Sequence, residues 1–268
     1  MRDAPAAEAG ATPSEEARRE RALARLFAST RGGAPRDSVR MRTVLTRLEL
    51  PPPPPVVHVV GTNGKGTVAA RVAAGLTAAG ERPLRFLSPH VERFEERIAV
   101  AGVEIRTDEL LSGLQRAWSL DPPLDAAFFE LTLALALRVA ADRRATWAVL
   151  EAGVGAGGGG GAATAAVGNV VAVVLTHVGA DHLDQLGPTL LDVARDKAEA
   201  IRPGVPVVSG VRGEAAAVAR RAAAERGSPL HLLDEDGPIF ALPPSLRSDR
   251  SWATPRGVAR RSLRLARA

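Results

Sequence analysis

The strongest indication of the fold is the segment Val56–Thr67, which reads VVHVVGTNGKGT. The apolar and largely β-branched run Val56–Val60 is typical of a buried parallel strand. A glycine-rich turn follows at once, and the alanine-rich segment from Gly66 to Ala79 is predicted to be a helix. A strand that leads through a glycine turn into a helix brings backbone N–H groups and the helix dipole to one place. We therefore expect this turn to bind phosphate.

The turn differs from the general phosphate-binding loop. That loop has glycine five positions before the glycine of its Gly-Lys pair, and Ser or Thr directly after the lysine. Here Val59 and Gly66 occupy those positions, so the loop is shorter and its hydroxyl residue, Thr67, comes one residue late. An ordinary glycine turn is the alternative, but the joint occurrence of strand, paired glycines, Lys65, hydroxyl and helix favours a phosphate site.

Strands alternate with helices along the rest of the chain, which predicts a parallel α/β sheet with helices on both faces. Further strands are expected at Leu84–Leu87, Thr146–Leu150, Val170–Leu175, Val205–Ser209 and Pro229–Leu233, with a hairpin of Arg97–Val100 and Val103–Ile105. Further helices are expected at 14–28, Ser38–Leu50, Thr107–Ser119, Ala126–Ala141, Leu190–Ile201 and Gly213–Arg226. We divide the chain into a polar N-terminal extension (1–36), a nucleotide-binding domain (37–236) and an arginine-rich tail (237–268) that we expect to be disordered.

The composition excludes several classes of protein. None of the 268 residues is cysteine, so a disulfide scaffold, a thiolate metal site and a cysteine nucleophile are ruled out. Apolar residues make up 46%, enough for a substantial core. No apolar run reaches the ~20 residues of a membrane span, and the N-terminus lacks an apolar signal core. We expect a cytosolic protein that does not bind membranes.

The positive charge is concentrated at one end of the chain. The total is +5, but seven arginines and one aspartate give residues 243–268 a charge of +6, so the rest sums to −1. Aromatic residues make up only 3%, and tyrosine is absent. Because stacking platforms for bases need aromatic side chains, we do not expect nucleic acid as a partner.

Lysine is very rare in this chain. Of 35 basic residues only Lys65 and Lys197 are lysine. Arginine cannot replace an amine that acts as a compact point charge or that is covalently modified. The two lysines therefore mark candidate functional positions.

The sequence GTNGKG followed by Thr, after a His-Val-type strand, resembles the Mur ligase superfamily. The glycine that follows the lysine makes this loop similar to the loop of the superfamily's folylpolyglutamate synthase/dihydrofolate synthase branch. The resemblance implies a three-layer parallel-sheet P-loop ATPase domain in which Lys65 contacts the β- and γ-phosphates and Thr67 lies near magnesium. It assigns nucleotide binding to Gly61, Thr62, Asn63, Gly64, Lys65, Gly66 and Thr67.

Three further segments resemble this family in the same order. Ser88-Pro89-His90, with Glu96-Arg97-Ile98 downstream, is similar to a family loop whose serine binds magnesium. Glu151, at the end of a predicted strand, stands where the family has a magnesium-binding glutamate. Asp181-His182 resembles a ligand pair, and Lys197 follows His182 by fifteen residues, as a carbamylated lysine does in the family.

These matches imply a magnesium site formed by Ser88, Glu151 and His182, with carbamylated Lys197 supporting a second magnesium site. Lys65, His182 and Lys197 are the expected catalytic residues. We interpret His58 and His177 as structural.

The acceptor site is implied by a weaker resemblance. Phe128-Phe129-Glu130 is similar to an aromatic-aromatic-Glu element at the pterin site of the family, so Phe129 and Glu130 are expected to contact substrate. Thr164 is added because Ala163-Thr164 resembles part of the family's Asp-Ala-Thr-Asn stretch. The arginine, aspartate and asparagine of that region are replaced by a glycine run that ends at Gly161.

The implied reaction is ATP-dependent addition of L-glutamate to a folate or dihydropteroate carboxylate through an acyl phosphate. The family's C-terminal Rossmann-like domain has no counterpart in this sequence. Three hypotheses stay open: an active ligase, with a second chain supplying that domain; a nucleotide-binding homologue that does not ligate; and another Mur-type amino-acid ligase. The Lys-Gly-Thr order and Phe129-Glu130 disfavour the third. The glycine run and the missing domain favour the second over unaided catalysis. We expect a monomer.

Overall fold

The computed structural model describes residues 14–29, 38–153, 160–180, 183–233 and 235–236. The strands are β1 (Val56–Val60), β2 (Pro83–Phe86), β3 (Ile98–Val100), β4 (Val103–Glu104), β5 (Trp147–Glu151), β6 (Val170–Leu175), β7 (Val207–Ser209) and β8 (Leu230–Leu232). The helices are α1 (Glu15–Ala28), α2 (Ser38–Arg47), α3 (Lys65–Ala78), α4 (Thr107–Trp118), α5 (Phe128–Asp142), α6 (Gly160–Ala166), α7 (Leu183–Leu186), α8 (Leu190–Ala198) and α9 (Gly213–Glu225).

The strands form one sheet in the order β4-β3-β2-β5-β1-β6-β7-β8. The six strands from β2 to β8 in that order are parallel, and β3 and β4 add an antiparallel hairpin at one edge. β1 lies between β5 and β6, and all five of its residues are buried. The predicted buried parallel strand is confirmed.

Helices cover the sheet on both faces. Val57, Val59 and Val149 pack against Ala69 and Ala73 of α3 on one face. The other face is covered by α5, and most residues of this helix are buried around its whole circumference. It packs with β2 and β5 in a core that includes Leu84, Phe86, Leu133, Leu137 and Leu150. The predicted three-layer α/β architecture is confirmed.

The β6–β8 end of the sheet has a separate core. Val173, Leu175 and Val207 contact alanines of α8 and α9, among them Ala194 and Ala219. Small side chains allow helices and strands to approach closely, so this end is dense although it holds few large residues.

Several predicted boundaries differ from the structure, and α2 ends at Arg47 rather than Leu50. No helix is predicted at α6, which begins at Gly160 inside the glycine run; residues 154–159 lie outside the described part. α8 ends at Ala198 rather than Ile201, and β7 begins at Val207 rather than Val205. Pro206 precedes β7 and has no N–H to donate to a sheet ladder.

Helix α1, which belongs to the predicted N-terminal extension, packs on the domain through buried Ala22 and Leu26. The predicted tail, 237–268, lies outside the described residues. Within the described ranges, the structure contains no helix of the length and apolar character needed to cross a membrane.

Candidate active site

The phosphate loop leaves β1 at the carboxyl edge of the sheet and enters α3 at Lys65. Gly64, the residue before the helix, has φ +80°, a conformation that favours glycine. The first N–H groups of a helix have no partner within the helix, so they are available to an anion. Lys65 is half-buried, and its Nζ donates to the Thr62 carbonyl at 2.9 Å, which holds the ammonium beside the loop.

The segment after β6 braces this loop. Thr176 Oγ1 donates to the Asn63 carbonyl at 2.7 Å, and the Thr62 N–H donates to the His177 carbonyl at 2.6 Å. A Cβ on Gly61, which has φ +149°, would lie 2.1 Å from Thr176 Oγ1. Sequence reasoning missed Thr176; its position directly after a central parallel strand was the available signal.

The surroundings of residue 66 explain why a glycine follows Lys65. A Cβ there would lie 3.2 Å from Glu151 Oε2, so a side chain at residue 66 would crowd the carboxylate. Thr67, which carries the hydroxyl of the loop, is exposed in the first turn of α3. Its predicted place near magnesium stays a prediction.

Ser88 and Glu151 meet at the ends of β2 and β5. The Ser88 N–H donates to Glu151 Oε2 at 2.9 Å, and Glu151 is only 5% exposed. Burial raises the pKa of the Glu151 carboxyl, against the opposing effects of the Ser88 N–H and of the positive charges of Lys65 and Arg97. The structure thus brings Ser88 and Glu151 together, and their role as magnesium ligands stays a prediction.

The donors at this point fit magnesium. A serine hydroxyl and a carboxylate are oxygen ligands of the kind that Mg²⁺ prefers. The described residues contain no group of three or more His, Asp or Glu that could hold a metal. Because Mg²⁺ usually keeps several waters and binds substrate phosphates, two protein oxygens beside a phosphate loop suit it.

The other predicted metal and catalytic residues lie on the β6 side. Asp181 and His182 are outside the described residues. Lys197, in α8, is 5% exposed, and its Nζ lies 2.9 Å from Asp196 Oδ2. The described partner of this deeply buried amine is therefore the carboxylate of the neighbouring residue.

The predicted acceptor residues lie at the start of α5. Phe129 packs edge-to-face on Phe86, with 5.6 Å between ring centroids. Glu130 is 1% exposed, and its closest described cation is Arg40, with 3.8 Å between Nη1 and Oε1. Neither Glu130 carboxylate oxygen accepts a hydrogen bond from the described part of the chain. A buried carboxylate in this state has spare acceptor capacity.

Thr164 lies apart from these residues. It is fully buried in α6, and its Oγ1 lies 2.7 Å from His58 Nε2 of β1. Burial, assisted by the Arg202 charge, lowers the pKa of His58 to about 3, so this histidine is neutral. The structure gives the Thr164 hydroxyl a contact within the core, and its substrate role stays a prediction.

A parallel sheet with a glycine loop and lysine at the end of its central strand, beside a Ser–Glu pair, defines a P-loop nucleotide-binding domain. No protein-family model matches the chain. It is 34% identical over 195 residues to folylpolyglutamate synthase of Lacticaseibacillus casei, covering 70% of this chain and 44% of that protein. It is 32% identical over 216 residues to the dihydrofolate synthase/folylpolyglutamate synthase of Bacillus subtilis, covering 76% and 49%.

A solved complex of a folylpolyglutamate synthase (FPGS) with AMPPCP and folate has the same fold. The TM-score is 0.71 and the sequence identity is 32%, over 79% of this chain and 53% of that chain. Over most of its own length the chain is similar to proteins of the folylpolyglutamate synthase/dihydrofolate synthase family. It spans about half the length of the relatives it matches.

Proposed function

We propose that this chain is the ATP-binding part of a ligase that joins L-glutamate to a folate or dihydropteroate carboxylate. The observation that carries the proposal is the joint placement of Lys65, Gly66, Ser88 and Glu151, where the Ser88 N–H binds Glu151 and Gly66 leaves room for that carboxylate. The known complex of a related protein with AMPPCP and folate supports the choice of ligands.

The chemistry follows from these residues. Lys65 and the first N–H groups of α3 would bind the phosphates and orient the γ-phosphoryl group. An acceptor carboxylate oxygen attacks the γ-phosphorus, the bond to ADP breaks, and an acyl phosphate forms. The amine of glutamate then attacks the acyl carbon, phosphate leaves, and the amine loses a proton. Magnesium, held by Ser88 and Glu151, with His182 as the third predicted ligand, would offset phosphate charge.

The charges at the site indicate how magnesium binds. Lys65 and Arg97 both place positive charge near the Glu151 carboxyl. Mg²⁺ alone would add to that charge, whereas ATP would outweigh it. We infer that magnesium binds with the nucleotide rather than before it.

Glu130 supports an acceptor site next to the metal. Its unsatisfied oxygens could accept hydrogen bonds from the N–H groups of a pterin. Phe128, two residues earlier, lies under the Arg97 guanidinium, with 5.0 Å from Cζ to the ring centroid. The start of α5 therefore borders the Ser88 loop.

Lys197 is proposed to act as a carbamate. A neutral amine adds carbon dioxide and becomes an anion, which arginine cannot do near neutral pH. Its burial in α8 supports a role in the interior of the domain rather than on the surface. The carbamate and a second magnesium site both remain part of the proposal.

The test is release of ADP from ATP that depends on magnesium, glutamate and an acceptor. Dihydropteroate and tetrahydrofolate are supplied in turn, with Lys65→Ala as the control variant. The proposal predicts acceptor-dependent release that the control lacks.

A nucleotide-binding homologue without ligase activity is the second candidate. It is favoured by the glycine run that ends at Gly161, which stands where the related family has an arginine, an aspartate and an asparagine. Binding of ATP and magnesium without acceptor-dependent ADP release would support it.

A further inference from the structure

We propose that Arg97 is a positioning residue that fixes the Ser88 hydroxyl for the metal site, an inference that rests on the proposed function. Arg97 is 5% exposed. Its Nε donates to His90 Nδ1 at 2.8 Å, and its Nη1 donates to Ser88 Oγ at 3.2 Å. One guanidinium therefore holds both ends of the Ser88-Pro89-His90 segment.

Two aromatic rings fix the guanidinium itself. Arg97 Cζ lies 5.0 Å from the ring centroid of Phe128 and 5.8 Å from that of Phe94. A guanidinium over aromatic faces gains cation–π stabilisation and loses rotational freedom. The donors aimed at Ser88 and His90 are thus preorganised.

The hydrogen bond has a defined consequence for Ser88. A guanidinium has donors only, so Ser88 Oγ must be the acceptor and its own O–H proton must point elsewhere. The Ser88 N–H is already bound to Glu151 Oε2 at 2.9 Å. With the backbone held by Glu151 and the hydroxyl held by Arg97, the remaining lone pair of Ser88 Oγ has a fixed direction.

The rest of the loop does not depend on Arg97. The Glu96 carboxylate accepts the backbone N–H groups of Val91, Glu92 and Arg93 at 2.8, 3.1 and 2.8 Å. Glu95 accepts two hydrogen bonds from Arg19 of α1, at 2.6 and 2.9 Å. Substituting Arg97 should therefore leave the course of the backbone intact.

An electrostatic role and a positioning role predict opposite effects of Arg97 on metal binding. The positive charge of Arg97 opposes a metal ion near Glu151, so a purely electrostatic role would make Arg97 unfavourable for metal binding. Lysine keeps the charge but loses the planar fork that contacts Ser88 and His90 together. Arg97→Lys therefore separates the two roles.

The experiment is calorimetry of ATP binding at a series of Mg²⁺ concentrations, with binding of ATP without Mg²⁺ as a second readout. Arg97→Lys should raise the Mg²⁺ concentration for half-saturation by about tenfold or more, the usual effect of losing a residue that orients a metal ligand. ATP affinity without Mg²⁺ should stay at the wild-type value, and the thermal midpoint should stay high enough for the variant to be folded at the temperature of the calorimetry. Arg93→Lys is the matched control, because Arg93 is exposed and pairs with Glu104.

A double variant tests whether the effect passes through Ser88. In a Ser88→Ala background, Arg97→Lys should cause no further change in Mg²⁺ dependence, since the group it positions is absent. Equal Mg²⁺ dependence in Arg97→Lys, Arg93→Lys and wild type would overturn the inference alone. A wild-type chain that binds no ATP with Mg²⁺ would overturn the proposed function and this inference with it.

Discussion

Lys65 and Lys197, the only lysines of the chain, occupy different surroundings. Lys65 is half-buried on a tight loop, and its ammonium contacts the carbonyl of Thr62, three residues away. Lys197 is 5% exposed in a helix and pairs with Asp196. The first lysine is presented to the phosphate site as a point charge, whereas the second is enclosed.

This difference shows which parts of the site are formed by residues that are close together in the sequence. The surroundings of Lys65 are set largely by a strand, a turn and a helix that are consecutive in the chain. The proposed role of Lys197 depends instead on the burial of its side chain in α8 and on modification of its amine. Substitutions on the two sides should therefore affect different steps.

The largest effect is expected at Lys197. Lys197→Arg should keep the fold and the binding of ATP with magnesium, but abolish acceptor-dependent ADP release, because arginine cannot form a carbamate. The measurement is ADP release in parallel with calorimetry of ATP. Full activity in this variant would refute the carbamate role.

Lys65→Ala should impair ATP binding, the step that precedes ADP release. Losing a charge-assisted contact of about 1.5–3 kcal/mol weakens ATP binding about tenfold to hundredfold. Calorimetry measures the affinity, and Lys197→Arg serves as the comparison that retains it. Unchanged affinity in Lys65→Ala would mean that phosphate binds elsewhere.

Two glycines of the phosphate loop should differ in their tolerance of alanine. Gly61→Ala places a Cβ 2.1 Å from Thr176 Oγ1 and 2.9 Å from the His177 carbonyl, so we expect a loss of about 3 kcal/mol of stability. Gly64→Ala has nothing within 4 Å of its Cβ and should cost only the about 1–2 kcal/mol of its positive φ. Urea unfolding of the two variants measures both; equal losses would contradict the proposed bracing by Thr176.

The smallest effect concerns Glu151 and pH. Its raised pKa means that the folded chain retains this proton when the unfolded chain has lost it, so stability falls as pH rises above the ordinary value of 4.5. Glu151→Gln should therefore raise the thermal midpoint of the nucleotide-free chain at pH 7, and the gain should vanish below pH 4.5. Exposed Glu92→Gln is the control, and the same gain there would show a general charge effect.

Much of the fold could be predicted because its signals are local. The β-branched run of β1 and the all-apolar α5 identify a buried strand and a buried helix. The lysine-glycine order of the loop is explained by the Gly66–Glu151 contact, which sequence alone does not show. The start of α6 within the glycine run was missed, because glycine disfavours helices and tertiary contacts decide the outcome there.

The contacts of Arg97 and Thr176 could not be read from the sequence. Arg97 contacts Ser88 across nine residues, and Thr176 contacts Asn63 across 113. Such contacts depend on which strands become neighbours, and residue type and periodicity do not specify this. Thr164 is a different example. Its resemblance to a family motif implied contact with substrate, but did not predict its contact with His58.

The most direct test is calorimetry of ATP binding with and without magnesium, for wild type and Lys65→Ala. Two outcomes for wild type are predicted: ATP binding that magnesium strengthens, and little binding of magnesium alone. Lys65→Ala should lose most of that affinity. Equal binding of ATP by both proteins, or tight magnesium binding without nucleotide, would contradict a nucleotide site built from Lys65, Ser88 and Glu151.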